Sequence, residues 1–144
     1  IANPRQGRQI KPTLAFYFAG DVPVYSLPSI YDGQDNQSEN SDLDGIVFAD
    51  APWVLQESDE LKVEMNTNLR QVQGPLQRLR AMGIDSFRLY PRLKQFANQR
   101  VNSIQGTTGK LQMSEGQRIH RTLTMAQFES GLAREYRIDG NISR

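Results

Sequence analysis

The sequence predicts an α/β fold, and three stretches carry that expectation. Near the start, ANPRQGRQIKPTLAFYFAG followed by DVPVYSL reads as a helix feeding a short strand, most of a βαβ unit. In the middle, residues 81–97 set Ile84, Phe87, Tyr90, Leu93 and Phe96 along one helical stripe, with Arg88, Arg92 and Lys94 mostly off it. Near the end, residues 118–128 alternate apolar and polar, as a half-buried strand does. Strand-rich segments on both sides of the central helix make it a cover for a sheet built from both.

Taken in order, Asn3 is a good N-cap and Pro4 a good first helical residue. Ile10, Leu14 and Phe18 follow at helical spacing, Pro12 predicts a kink, and Gly20 stops a helix over 4–19. Val22, Val24 and Tyr25 favour a strand over 22–26. Residues 29–44 are polar and turn-rich, a surface loop. GIVFAD supplies a second short strand over 45–49, and Ala51-Pro52-Trp53 turns the chain. Residues 58–69 have a helical period with few apolar positions, and Pro75 starts another short helix. Gly83 and Asp85 mark its end and the start of the central helix, which Pro91 should bend. A hairpin over 110–128 turns at Ser114-Glu115-Gly116-Gln117, and Leu132–Tyr136 adds a last edge.

The 144 residues suit one domain, and 38% apolar with 23% charged residues is ordinary for a globular chain. A net charge of +1 provides no bulk field for nucleic acid, so none is expected as a partner. The charge is nonetheless segregated: residues 32–64 sum to −9 and residues 70–100 to +6. Such blocks are either solvated faces or docking surfaces. No apolar run reaches membrane length. Only the end of a first strand precedes Pro4, so the upstream part of this domain is expected outside the sequence.

Cysteine is absent and His120 is the only histidine, which leaves no metal-ligand set. No nucleophile motif, phosphate loop or dinucleotide fingerprint occurs, so no catalytic residue and no cofactor are expected. GTTG at 106–109 is too short for a phosphate cradle; strand-end glycines account for it better. In open α/β sheets ligands sit beyond the carboxyl ends of strands. Here those ends are residues 3–6, 28–31 and 50–53, which nominates Asn3, Arg5, Ser29, Tyr31, Asp50 and Trp53 as a ligand cleft. Asn3 and Arg5 suit an anion or carboxylate, and Tyr31 and Trp53 suit enclosure of a ligand. Asn3 equally suits simple capping, and Trp53 core packing.

Three passages resemble the C-terminal part of a type I periplasmic-binding-protein fold: ANPRQGRQIKPTLAFYFAGDVPVYSLPSIYDG, DLDGIVFADAPWVL, and RAMGIDSFRLYPRLKQF with IQGTTGKLQMSEGQRIHRTLTMAQF. Their wording is most similar to the outer-membrane lipoprotein activators of penicillin-binding proteins, above all in MGIDSFRLYPRL and GTTGKL…GQRIHR. The resemblance implies two Rossmann-like lobes, of which only the C-terminal portion is present. Residues 1–50 and 101–144 would belong to the second lobe, and 51–100 would add helices to the first. It further implies a non-enzymatic, periplasmic protein that binds a class A penicillin-binding protein and stimulates its transpeptidase. Its only membrane attachment would be a lipid anchor, outside this sequence, on the inner face of the outer membrane. A small-ligand receptor for amino acids or muropeptide-like molecules is the rival expectation. Docking of the synthase would fall on the basic stretch Arg78, Arg80, Arg88 and Arg92, or on the acidic loop with Asp42 and Asp44.

Overall fold

The computed structural model describes residues 3–56, 60–68, 74–98 and 102–137. The expected end of a first strand at residues 1–2, both ends of the helix over 58–69, and residues 138–144 lie outside them. The chain divides into two compact units. Unit 1 comprises residues 1–31, 35–49 and 125–144; unit 2 comprises residues 32–34 and 50–124.

Unit 1 begins with α1 (Pro4–Phe16). Asn3 accepts from the Gln6 amide at 2.9 Å while the Gln6 side chain accepts from the Asn3 amide at 3.0 Å, a capping box that satisfies two helix-end donors. The helix ends before Gly20. Phe18 takes the left-handed conformation (φ 58°), with Phe18 N–H donating to Ala15 O and Ala19 N–H to Leu14 O. That is a Schellman closure in which a phenylalanine holds the position glycine favours. The apolar stripe expected on α1 is not its buried face: Ile10 and Phe18 are exposed and Gly7 is buried. A Cβ on Gly7 would meet Leu43 Cδ2 at 2.8 Å, so the missing side chain lets the helix backbone approach its neighbours.

Strand β1 (Tyr25–Ser26) is shorter than expected and pairs in parallel with the later strand from residues 47–50. The loop over 29–44 is more ordered than its composition suggested. It holds a 3₁₀ turn at Pro28–Ile30, the one-turn α2 (Gln37–Asn40) and a second 3₁₀ turn at Ser41–Leu43. Strand β2 (Val47–Asp50) is apolar and buried on both faces at Val47 and Phe48, as a central strand should be.

Unit 2 contains α3 (Pro52–Leu55), α4 (Glu60–Asn68), α5 (Leu76–Leu89) and α6 (Leu93–Ala97). Helix α5 runs uninterrupted through Gly83 and Asp85, so the boundary expected there does not exist. A 3₁₀ turn at Tyr90–Arg92 separates α5 from α6 where Pro91 interrupts the helical ladder. Of the predicted stripe, Phe96 is buried, but Phe87 is 84% and Tyr90 79% exposed. The buried face of α5 is Gln77, Ala81 and Asp85, at i, i+4 and i+8.

Strand β3 (Ile104–Gln105) pairs antiparallel with β4 (Lys110–Ser114), and β4 with β5 (Arg118–Thr122). The single strand expected over 118–128 is two. It breaks at Leu123, and β6 (Thr124–Glu129) and β7 (Leu132–Glu135) join the other sheet, whose order is β1–β2–β6–β7. Residues 101–124 thus group with the helices of unit 2, whereas the sequence reading put them with residues 1–50.

Candidate functional site

The most developed polar arrangement in unit 2 centres on Asp85. Its Oδ1 accepts from the Thr107 amide at 2.7 Å and the Thr107 hydroxyl at 2.9 Å. Its Oδ2 accepts from the Thr108 amide at 2.8 Å and the Thr108 hydroxyl at 2.6 Å. Asp85 is 4% exposed, so these groups replace the water its carboxylate has lost, the single proton of the Thr107 hydroxyl being shared with the Ala81 carbonyl. Thr107 Oγ1 also lies 2.8 Å from Ala81 O, and the Trp53 amide donates to Thr107 O at 3.0 Å. This accounts for GTTG. Gly106 leaves room for the carboxylate, since a Cβ there would sit 2.7 Å from Asp85 Oδ2. Gly109 holds φ 135° where a Cβ would collide with the Thr122 carbonyl.

A second buried carboxylate lies at the end of β2. Asp50 is 1% exposed, accepts from the Ala51 amide at 2.7 Å, and is held bidentately by Arg78, whose Nε lies 2.9 Å from Oδ1. Asp50 and Arg78 are the two sequence-nominated residues from different proposed surfaces that the fold joins. Trp53, 2% exposed, is packed in the interior of unit 2.

The remaining nominated residues have separate roles. Within unit 1, Asn3 caps α1, while Arg5 and Ser29 are exposed. Tyr31 is buried, its ring 5.8 Å from both Phe48 and Phe128, and its hydroxyl bonds Asp35 at 2.9 Å. Asp44 accepts from the Gly131 amide at 2.8 Å, and Asp42 is exposed. Within unit 2, Arg80 is half-buried with Nη1 3.4 Å from Asn66 Oδ1. Arg88 and Arg92 are exposed and share the wall of a cavity of about 580 Å³ with Phe87, Leu89 and Tyr90. Ile104, Gln105 and Leu111 line it as well.

His120 Nε2 lies 2.8 Å from Ser114 Oγ on the exposed hairpin. The serine oxygen also lies 3.3 Å from Glu115 O and 3.4 Å from Arg118 O, so the pair is a contact between surface neighbours on adjoining strands. Among the described residues no group of three or more His, Asp or Glu could hold a metal ion, and no helix is long and apolar enough to cross a membrane. The sequence reading missed Asp85, Thr107 and Thr108. The available signal was two threonines between glycines, which present four donors to a single acceptor.

Comparison with known proteins supplies the wider frame. A penicillin-binding protein activator LpoA from Vibrio cholerae is 25% identical over 127 residues, 88% of this chain and 21% of that protein. The activator of the same name from Erwinia tasmaniensis is 27% identical over 124 residues, 85% of this chain and 18% of its own length. The chain therefore spans about a fifth of the length of these curated relatives. Among solved structures, the LpoA C-domain from Haemophilus influenzae, described as a regulator of PBP1A, aligns with a TM-score of 0.76 at 19% identity, covering 94% of this chain and 42% of that one. A Chromobacterium violaceum protein described as a "putative branched-chain amino acid ABC transporter" aligns with a TM-score of 0.61 at 27% identity, over 88% of this chain and 40% of its own. The expected periplasmic-binding-protein-like α/β class is the fold of these neighbours. The model of the family described as "LppC putative lipoprotein" matches residues 1–131, and the chain belongs to that family.

Proposed function

We propose that the chain is part of a periplasmic, lipid-anchored regulator that binds a class A penicillin-binding protein and raises its transpeptidase output, without catalysing a reaction itself. The observation that carries this reading is the sequence match to relatives named penicillin-binding protein activators across 88% of the chain. In this reading unit 1 contributes to one lobe of the binding-protein-like domain and unit 2 to the other, and the anchor to the outer membrane lies elsewhere in the polypeptide. A regulator without chemistry of its own acts by binding active and inactive enzyme conformations with different affinity.

The side-chain geometry favours some docking candidates over others. Arg78 is committed to Asp50, and Asp44 to the Gly131 amide, so reversing either charge would disturb the fold as well as a surface. Arg88, Arg92 and Asp42 are exposed and can be reversed cleanly. The test is a pull-down and cross-linking assay with the full-length protein and its cognate synthase. Binding with increased cross-linking is expected, and weakening by Arg88→Glu with Arg92→Glu or by Asp42→Lys would identify the face. An intact protein that neither binds nor alters cross-linking overturns the reading.

The second reading, a receptor for amino acids or muropeptide-like molecules, is favoured by the likeness to the Chromobacterium violaceum protein. Calorimetry of the complete domain against both classes decides it. Saturable micromolar binding of either class by the folded domain would favour the receptor, and its absence would leave the regulator ahead.

A further inference from the structure

Strand β5 is an edge. In the order β3–β4–β5 it has a strand neighbour on one side only among the described residues, and all five residues of Arg118–Thr122 are exposed. Its pairing with β4 is regular from Lys110 opposite Thr122 to Ser114 opposite Arg118, so the strand is extended along its whole length. In an antiparallel pair, alternate backbone N–H and C=O groups of the outer strand point away from the partner and can template another strand.

The side chains state what kind of strand fits. Alternation puts Arg118 and His120 on one face of the hairpin with Lys110, and Ile119 and Arg121 on the other with Met113. Lys110, Arg118 and Arg121 make no ion pair among the described residues. The only acid of the hairpin is Glu115, in its turn. Positive charge on an edge normally protects it from indiscriminate pairing. The same charge selects an occupant of opposite sign, because opposite charges across a strand pair stabilise it and like charges destabilise it. A second copy is disfavoured, since pairing β5 with itself would gather four arginines in one two-stranded ribbon. Ile119, 38% exposed, offers one apolar contact on the edge.

We propose that β5 accepts an extended acidic peptide segment of a partner protein as an added strand, with its backbone groups giving affinity and Arg118 and Arg121 giving charge selection. The inference holds whichever protein supplies the segment and does not rest on the synthase reading.

The test uses the full chain and a fluorescein-labelled peptide, Thr-Val-Glu-Thr-Val-Glu-Thr, whose two acids, three residues apart, face opposite sides of an added strand as Arg118 and Arg121 do, read by anisotropy at low salt and by amide hydrogen exchange. Saturable binding with slowed exchange confined to residues 118–122 is expected. Arg118→Glu combined with Arg121→Glu should weaken binding about tenfold, the size expected for losing two cross-strand charge pairs, one on each face. Two changes on the peptide keep the test independent of whether that variant folds: replacing each Glu by Lys, and methylating alternate backbone nitrogens, should each abolish binding. Absence of binding, binding without protection of 118–122, or equal affinity for the lysine or methylated peptide overturns the proposal. So does a sedimentation result showing that β5 is covered by a second copy.

Discussion

In unit 1, Phe48 and Phe128 stack with ring centres 5.1 Å apart, and the other large fully buried side chains are Ile30, Leu43 and Ile46. Unit 2 buries Trp53, Val54, Phe96 and Leu111, but beside them it also buries two carboxylates, Asp50 and Asp85, each held by named donors. An aromatic and aliphatic interior is non-directional and tolerates replacement by another apolar group of similar volume. A buried carboxylate admits one arrangement of donors and penalises every other. Both units use shape, and unit 2 adds to it the hydrogen-bond geometry of two buried carboxylates.

The largest break should come from Phe128→Ala, which removes a ring that touches both Phe48 and Tyr31 and is expected to cost about 4 kcal/mol in a denaturant titration. Phe128→Leu, which retains much of the volume, should cost about 1 kcal/mol. Next is Asp85→Ala. It strands the Thr107 and Thr108 amides and should cost about 3 kcal/mol. Asp85→Asn should recover little of that, because its amide nitrogen would face donors; a near-neutral Asp85→Asn would sink the account of GTTG given above.

Arg78→Met, third in size, should cost about 2 kcal/mol. That is less than the loss of a fully enclosed pair because the Arg78 side chain is 24% exposed. Adding Asp50→Asn to it should restore part of the loss, and a double variant as unstable as the sum of the singles would argue against coupling. The smallest change has the opposite sign. Phe18 is 97% exposed at φ 58°, so Phe18→Gly should stabilise by about 0.5 kcal/mol, visible as a small rise in Tm.

These residues also show what could be read beforehand. Asn3-Pro4 announces the start of α1 because capping is a local interaction between neighbours in sequence. Pro91 announces the break between α5 and α6 for the same reason. The buried face of α5 could not be found by tracing apolar periodicity, because it consists of Gln77, Ala81 and Asp85. Phe87 and Tyr90 drew the helix axis the wrong way round. The break at Leu123 was hidden because a single residue separates β5 from β6 although their partners lie in different sheets; the one available sign was a change of phase, from Ile119, Leu123 and Met125 to the buried Ala126 and Phe128. The nominated cleft rested on strand ends alone. Whether such residues serve a ligand or the fold depends on partners far along the chain, as Asp50 with Arg78 illustrates.

The division of the chain also dictates an order of events when it folds from its N-terminal end. The longer contacts of the two buried carboxylates of unit 2 join residues 22 to 28 positions apart, and residues 50–124 arrive as one uninterrupted run. Unit 1 is interrupted by that run: its hydrogen bonds Gln127 to Gly45, Gly131 to Asp44 and Ala133 to Asp35 span 82, 87 and 98 positions. Its N-terminal half must therefore wait, with Ile30, Leu43 and Phe48 uncovered, until Phe128 has followed. For a polypeptide moving from one end to the other, unit 2 can fold on arrival and unit 1 only once β6 and β7 have followed, and the waiting half is the segment with most need of a chaperone.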